Sequence, residues 1–205
     1  MAHGRVIIGI TGASGAPYAL RTIRLLAECG AEVHVAATTM GRRLLVEECD
    51  IKSFDASTLV GDEALAELVH VHRDGDMGAC IASGSFQHDG MAIVPCSSNT
   101  LGHLAGGLTN SLVHRAAAVA LKERRRLIVG HRETPLSKID IGNMASLSDA
   151  GAIITPLTPG FYLQPKSIED LVDFMAARIV DLLGVVHDLP IRWNGTHAHL
   201  GQREP

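Results

Sequence analysis

Three short polar stretches stand where apolar runs end, and each could grip an anion or a planar ligand. The first is Thr11-Gly-Ala-Ser-Gly15-Ala-Pro17, directly after the apolar run Arg5-Val-Ile-Ile-Gly-Ile10. The leading N–H groups of a helix lack intrahelical partners and lie at its positive end, so a glycine-bearing turn there can seat a phosphate. Gly12 and Gly15 let the backbone come close, Ser14 adds a hydroxyl, and Pro17 suits a first helical turn. The spacing is neither the dinucleotide fingerprint nor a P-loop, and a plain strand-to-helix turn would use the same residues. The second stretch is Thr38-Thr39 after Glu32-Val-His-Val-Ala-Ala37; the third is Ser97-Ser-Asn-Thr100 after Gly90-Met-Ala-Ile-Val-Pro-Cys96.

Charged and aromatic residues form a second set. Arg178 follows Leu171 by seven residues and Met175 by three, which places it on the apolar stripe Ile168, Leu171, Val172, Met175, Ile179, Leu182. A guanidinium there needs an anionic partner or an escape to water along its stem. Arg115 and Lys122, seven apart, share one helix face at a separation of about 10 Å, where a solvated edge is the competing reading. Arg132 and Glu133 follow an apolar run; if extended, they point to opposite faces, one free to meet a phosphate, unless each pairs with a surface neighbour. Glu48 ends a helical pattern, where glutamates are mostly solvated. Tyr162, in Pro159-Gly-Phe-Tyr162, fits either the core or a ligand hydroxyl.

Other chemistries find little support. There is no G-x-S-x-G elbow and no H-E-x-x-H. His70-Val-His72, among eleven scattered histidines, is a poor metal site without further ligands. Cys96 fits a small buried hydrophobe better than a nucleophile. Cys29, Cys49, Cys80 and Cys96 show no C-x-x-C and no metal spacing, which predicts reduced thiols and a cytoplasmic setting. No run has membrane-spanning length and no leader pattern is evident. Against 22 acidic residues stand 18 Lys+Arg, a net charge of −4, so no broad electrostatic footprint invites nucleic acid or an anionic membrane.

The elements that must position these groups alternate. Across 205 residues, with 46% hydrophobic and 20% charged content, one domain is predicted. Strands are expected at 5–10, 32–37, 69–72, 90–96, 126–129 and 152–155. Helices are expected at 18–29 stopping at Gly30, at 40–48, 62–68, from an Asn110 cap to 122, at 138–148, and from a Ser167 cap to 183. Ser83–Phe86 and the glycine-rich segment 101–107 read as loops, 156–162 as a rigid turn, and 187–205 as an arm or disordered tail beyond a domain spanning 1–186. The pattern is that of an α/β fold with helices on both faces of a mostly parallel sheet. Ligands bind such sheets beyond the carboxyl ends of the strands, the edge where every polar loop falls.

In order along the chain, Thr11-Gly-Ala-Ser-Gly-Ala-Pro17, Asp89-Gly-Met, Pro95-Cys-Ser97, Arg115-Ala-Ala-Ala-Val-Ala-Leu-Lys-Glu-Arg124, Arg132-Glu-Thr-Pro135, Asn143-Met144 and Pro159-Gly-Phe-Tyr162 resemble the UbiX/Pad family of flavin prenyltransferases. The resemblance spans about residues 5 to 186 and implies a flavodoxin-like or Rossmann-like three-layer αβα sandwich. It implies metal-independent transfer of the dimethylallyl group of dimethylallyl phosphate to N5 and C6 of reduced FMN. The product, prenylated FMN, would serve a UbiD-type decarboxylase, and the enzyme would assemble as a homododecamer with sites between subunits. Carried onto matching positions, it implies FMN contacts from Gly12, Ala13, Ser14, Thr38, Ser97, Ser98, Asn99, Thr100 and Arg132. Tyr162 and Arg178 would hold the dimethylallyl phosphate, with Arg115 and Lys122 completing a cationic cage from a neighbouring subunit. Glu48, Glu133 and Ser14 match positions tied to proton handling, and Lys122 joins them in catalysis. His131 departs from the usual apolar residue or proline, and Asn99 is at a variable position. Two alternatives are a flavin-dependent cysteinyl decarboxylase, whose histidine and flap cysteine find no matching pair here, and a non-catalytic FMN-binding subunit of a hydroxyaryl acid decarboxylase.

Overall fold

Apolar β-branched runs at the chain's strands pair into one six-stranded sheet, every pairing parallel, in the order β3-β2-β1-β4-β5-β6. The computed structural model describes residues 4–191. The strands are β1 (Arg5–Ile10), β2 (Glu32–Ala37), β3 (Val69–Arg73), β4 (Gly90–Cys96), β5 (Arg126–His131) and β6 (Ile153–Ile154). The helices are α1 (Ala16–Glu28), α2 (Thr39–Cys49), α3 (Ala56–Val60), α4 (Glu63–Ala66), α5 (Ser98–Ala105), α6 (Leu112–Lys122), α7 (Lys138–Asp149) and α8 (Ile168–Leu183). A single 3₁₀ turn, Cys80–Ala82, lies between β3 and β4.

Alternation along each strand divides the core in two. Val6, Ile8 and Ile10 of β1 pack with Val33, Val35, Ile23, Leu26, Ile179 and Val180 under α1 and α8. Ile7 faces the other way, with Met91, Ile93, Leu127 and Val129, beneath α5 and α6. Both faces of β1 and β4 are therefore covered, which is why these strands read as unbroken apolar runs. The strand order is that of the doubly wound dinucleotide-binding architecture, and the direction in which successive strands are added reverses between β1 and β4. A crevice must open where the loops after those two strands diverge.

Differences from the sequence reading are local. Residues 98–105, expected as loop, form α5, because Ser97 Oγ accepts from Thr100 N at 3.2 Å and Leu101 and Leu104 bury against the sheet. The cap of α6 is Ser111 and not Asn110: Ser111 Oγ accepts from His114 N at 3.3 Å, whereas the Asn110 amide meets His103 Nε2 at 3.2 Å. Packing also continues past residue 186, since His187 and Ile191 are buried. The rest of the expected tail, 192–205, lies outside the described residues.

Candidate functional site

The loops after β1 and β4 are stitched together by one hydroxyl. Thr11 Oγ1 donates to Pro95 O at 2.8 Å and accepts from Ser97 N at 2.9 Å, so the two polar stretches move as a unit. Gly15 holds φ at 131°, a conformation only glycine adopts readily. The carboxylate of Glu48, from the end of α2, accepts from Gly15 N at 2.9 Å and Ala16 N at 2.8 Å. Glu48 is exposed, as helix-terminal glutamates usually are, yet it takes the anion position at the start of α1, and any phosphate must use the preceding part of the loop. Arg132 Nε donates to Ser14 O at 3.0 Å, tying the end of β5 to the same loop. A Cβ on Gly12 would stand 2.6 Å from Met40 Cβ, so loop and α2 are in backbone-level contact.

Beside this junction lies a cavity of about 490 Å³, within the range usual for small-ligand sites. Gly12, Thr38, Ser97, Ser98, Asn99, Thr100 and Glu133 line it, seven residues that the sequence reading assigned to flavin or proton handling. Thr38 caps α2, its Oγ1 accepting from Gly41 N at 3.1 Å, and Ser97 caps α5. Two helix N-termini thus flank the cavity, at the sheet's direction switch. Ala13, Ser14, Glu48 and Arg132 belong to the adjoining loop junction.

Further lining residues escaped the sequence reading: Asp74, His103, Asn110, Ser111 and His114. His103 and His114 stack at 4.8 Å between centroids, His114 Nε2 is 3.3 Å from Thr100 Oγ1, and His103 Nδ1 is 2.8 Å from Asn99 O. Burial, and then the neighbouring His103, pushes the His114 pKa below the ordinary imidazole value. Asp74 Oδ1 accepts from Val113 N at 3.1 Å, a cap supplied from 39 residues away that no local pattern signals. His131, the departure from the family pattern, is buried, with Nδ1 2.9 Å from Cys96 O, and does not line the cavity. Burial also drives the Cys96 thiol upward, in keeping with a packing role.

Arg115, Lys122, Tyr162 and Arg178 do not line this cavity in the single chain. Arg178 is a correction: its side chain is 49% exposed and reaches Asp181 at 3.7 Å. The buried face of α8 runs through Ala176, Ile179, Val180 and Leu183, and Arg178 lies about 200° round from Ala176. The stripe counted from Ile168 is misplaced because Ile168 itself is exposed. Arg115 is half-buried and donates to Ala82 O at 3.1 Å, while Lys122 is exposed and pairs with Glu123. Tyr162 is 51% exposed, its ring edge-on to Phe174 at 5.7 Å.

Comparison with known proteins shows the family. Residues 1–180 match the family model described as Flavoprotein. The flavin prenyltransferase UbiX of Thermoplasma acidophilum is 45% identical over 92% of this chain and 99% of its own length. The chain belongs to the UbiX family of flavin prenyltransferases. Its fold matches AnUbiX (PadA1), crystallised with FMN and dimethylallyl pyrophosphate, with a TM-score of 0.82 and 38% identity over 94% of this chain and 98% of that one. A dodecameric FMN-dependent UbiX-like decarboxylase from Escherichia coli O157:H7 gives a TM-score of 0.82 and 36% identity over 93% of this chain and 100% of that one.

A flavin prenyltransferase needs a pocket that takes a phosphate and a flat ring together, and the residues present fit that need. Hydroxyls and two helix N-termini line the cavity, and His114 Nδ1 is buried with no hydrogen-bond partner among the described residues.

Proposed function

We propose that this enzyme joins the dimethylallyl group of dimethylallyl phosphate to N5 and C6 of reduced FMN, yielding prenylated FMN for a UbiD-type decarboxylase. The observation that carries the reading is the gathering of Gly12, Thr38, Ser97, Ser98, Asn99, Thr100 and Glu133 around one cavity at the sheet's direction switch. Gly12, Ala13 and Ser14, the two capping hydroxyls, Asn99, Thr100 and Arg132 hold the flavin. Reduced FMN, when bound, supplies the two nucleophilic ring atoms and a π surface beside the allylic carbon.

Tyr162 and Arg178 grip the phosphate ester, and Arg115 and Lys122 add positive charge. A monophosphate leaves poorly, so fixed cations must meet the charge that gathers on the bridging oxygen as the C–O bond breaks; in a dry site each good contact lowers the barrier by a few kcal/mol. Glu133, on the cavity wall, or the released phosphate accepts the proton lost from C6 when the new ring closes. Glu48 and Ser14 serve proton transfer near N5, with Glu48 also fixing the loop.

Arg115 and Lys122 stand apart from the cavity of their own chain; we assign them to a neighbour's site in a homododecamer, working in a reducing cytoplasmic setting. Mixed assemblies test this. Arg115→Ala and Arg178→Ala proteins, each strongly impaired alone, regain a substantial fraction of wild-type turnover when dissociated and reassembled together, because some sites then draw both arginines from intact subunits. Failure to regain activity in verified mixed oligomers contradicts the shared site. Running the assay with both dimethylallyl phosphate and the pyrophosphate identifies the donor.

A further inference from the structure

The pair His70-Val-His72 lacks further ligands in sequence, and the fold supplies them. In the β2–β3 register His34 lies beside His70, and Ala36 lies beside His72, so the three imidazoles share one face of the sheet. Interior positions of a parallel sheet are ordinarily Val or Ile, which makes this grouping costly unless it is paired. His34 Nδ1 stands 2.9 Å from His72 Nε2, and His34 Nε2 stands 3.0 Å from Glu32 Oε1. The 3₁₀ turn brings in a thiol: the ligand atoms of His34, His72 and Cys80 all lie within 4.8 Å of one another. Phe86 closes one side, edge-on to His34 at 4.9 Å.

We propose that His34 Nδ1, His72 Nε2 and Cys80 Sγ bind a zinc-class divalent cation, with Glu32 holding the far nitrogen of His34. Two imidazoles and a thiolate are a donor set that suits zinc, and three protein ligands leave a fourth position for water. With Nε2–H of His34 given to Glu32, the Nδ1 lone pair is free to ligate, the carboxylate–imidazole–metal arrangement that orients such ligands. His72 meets the ion through Nε2 once its proton sits on Nδ1, and Cys80 releases its thiol proton to solvent on binding. Tetrahedral bonds of about 2.0–2.1 Å require the two nitrogens to part to about 3.3 Å, a small shift for side chains at a sheet edge. A second grouping, Glu32, His34 and His70, is the weaker candidate, because Arg5 Nη2 already pairs with Glu32 Oε2 at 2.8 Å. The ion would staple the Cys80 turn to the open edge at β3 and take no part in the transfer reaction.

The test uses the full-length assembled protein after chelator treatment, titrated with zinc by calorimetry and with cobalt(II) by difference absorption. The expected result is one ion per chain, a near-ultraviolet thiolate-to-cobalt band, and a rise in Tm with zinc. Cys80→Ser, a change at an exposed position, loses the band and the zinc-dependent rise while FMN prenylation persists. His72→Gln abolishes tight binding, Glu32→Gln weakens it by about 10- to 100-fold, and His70→Gln leaves it intact. Every variant keeps the other histidines of the chain, so adventitious binding cancels in the comparison. Absence of saturable binding in the wild type, or binding that survives Cys80→Ser and is lost with His70→Gln, overturns the proposal.

Discussion

Glu48 joins the end of α2 to the start of α1, and removing it separates two roles. Its Oε2 accepts from Gly15 N and Ala16 N at 2.9 and 2.8 Å. Hydrogen bonds to a charged group contribute about 1.5–3 kcal/mol each when sheltered, and an exposed carboxylate at a helix N-terminus falls at the lower end. Glu48 is exposed, so Glu48→Ala is expected to cost about 1–3 kcal/mol in all, lowering Tm by roughly 2–4 °C per kcal/mol for a chain of this size. Glu48→Gln keeps a neutral oxygen in place and costs less than about 1 kcal/mol, yet it removes the proton carrier. Denaturant unfolding of the two variants, alongside single-turnover prenylation, separates the roles. The reasoning predicts that the alanine variant loses stability, FMN affinity and turnover together, while the glutamine variant stays folded, binds FMN and turns over slowly. An alanine variant as stable as wild type refutes the capping role, and a glutamine variant with full turnover removes Glu48 from proton handling.

Arg178→Ala should lower kcat/KM for dimethylallyl phosphate by about 10- to 100-fold, the cost of one charge-assisted contact, with little change in FMN affinity; equal losses in both contradict its assignment to the donor. A Cβ on Gly41 would collide with Ile10 O at the end of β1, so Gly41→Ala should destabilise by about 1–3 kcal/mol and weaken FMN binding, and a neutral result by denaturant unfolding contradicts the packing of α2 on β1. The folded pKa of His114 lies below its unfolded value of 6.5, burial being the main cause. The unfolded chain therefore takes up this proton first, and stability present above pH 6.5 is lost as pH falls below it. Unfolding midpoints measured between neutral pH and mildly acid pH should fall less steeply for His114→Gln than for wild type; parallel slopes contradict a buried neutral His114.

The sheet was legible because β1 and β4 bury both faces and so read as continuous apolar runs, while Gly30 and Ser167 mark helix ends by local chemistry. The site was legible in part for the same reason, since its residues follow strand ends and one cavity lies at that edge. The eight-residue α5 was hidden because Gly102 within it and Gly106-Gly107 after it mask a helix that exists through its Ser97 cap and two buried leucines. Arg178 misled because a stripe counted over six residues has no fixed phase until tertiary packing chooses the face, and α8, packed on α1, buries the face that includes Ala176 and Val180. Asp74, His103 and His114 carry no local signal; they reach the cavity by contacts between separate loops and helices.

The most direct measurement is the mass of the flavin recovered after anaerobic incubation of the enzyme with reduced FMN and dimethylallyl phosphate. The account predicts a flavin heavier by one isoprene unit, formed by wild type and formed about 10- to 100-fold more slowly by Arg178→Ala at low donor concentration. Unmodified FMN recovered from wild type at saturating donor contradicts it.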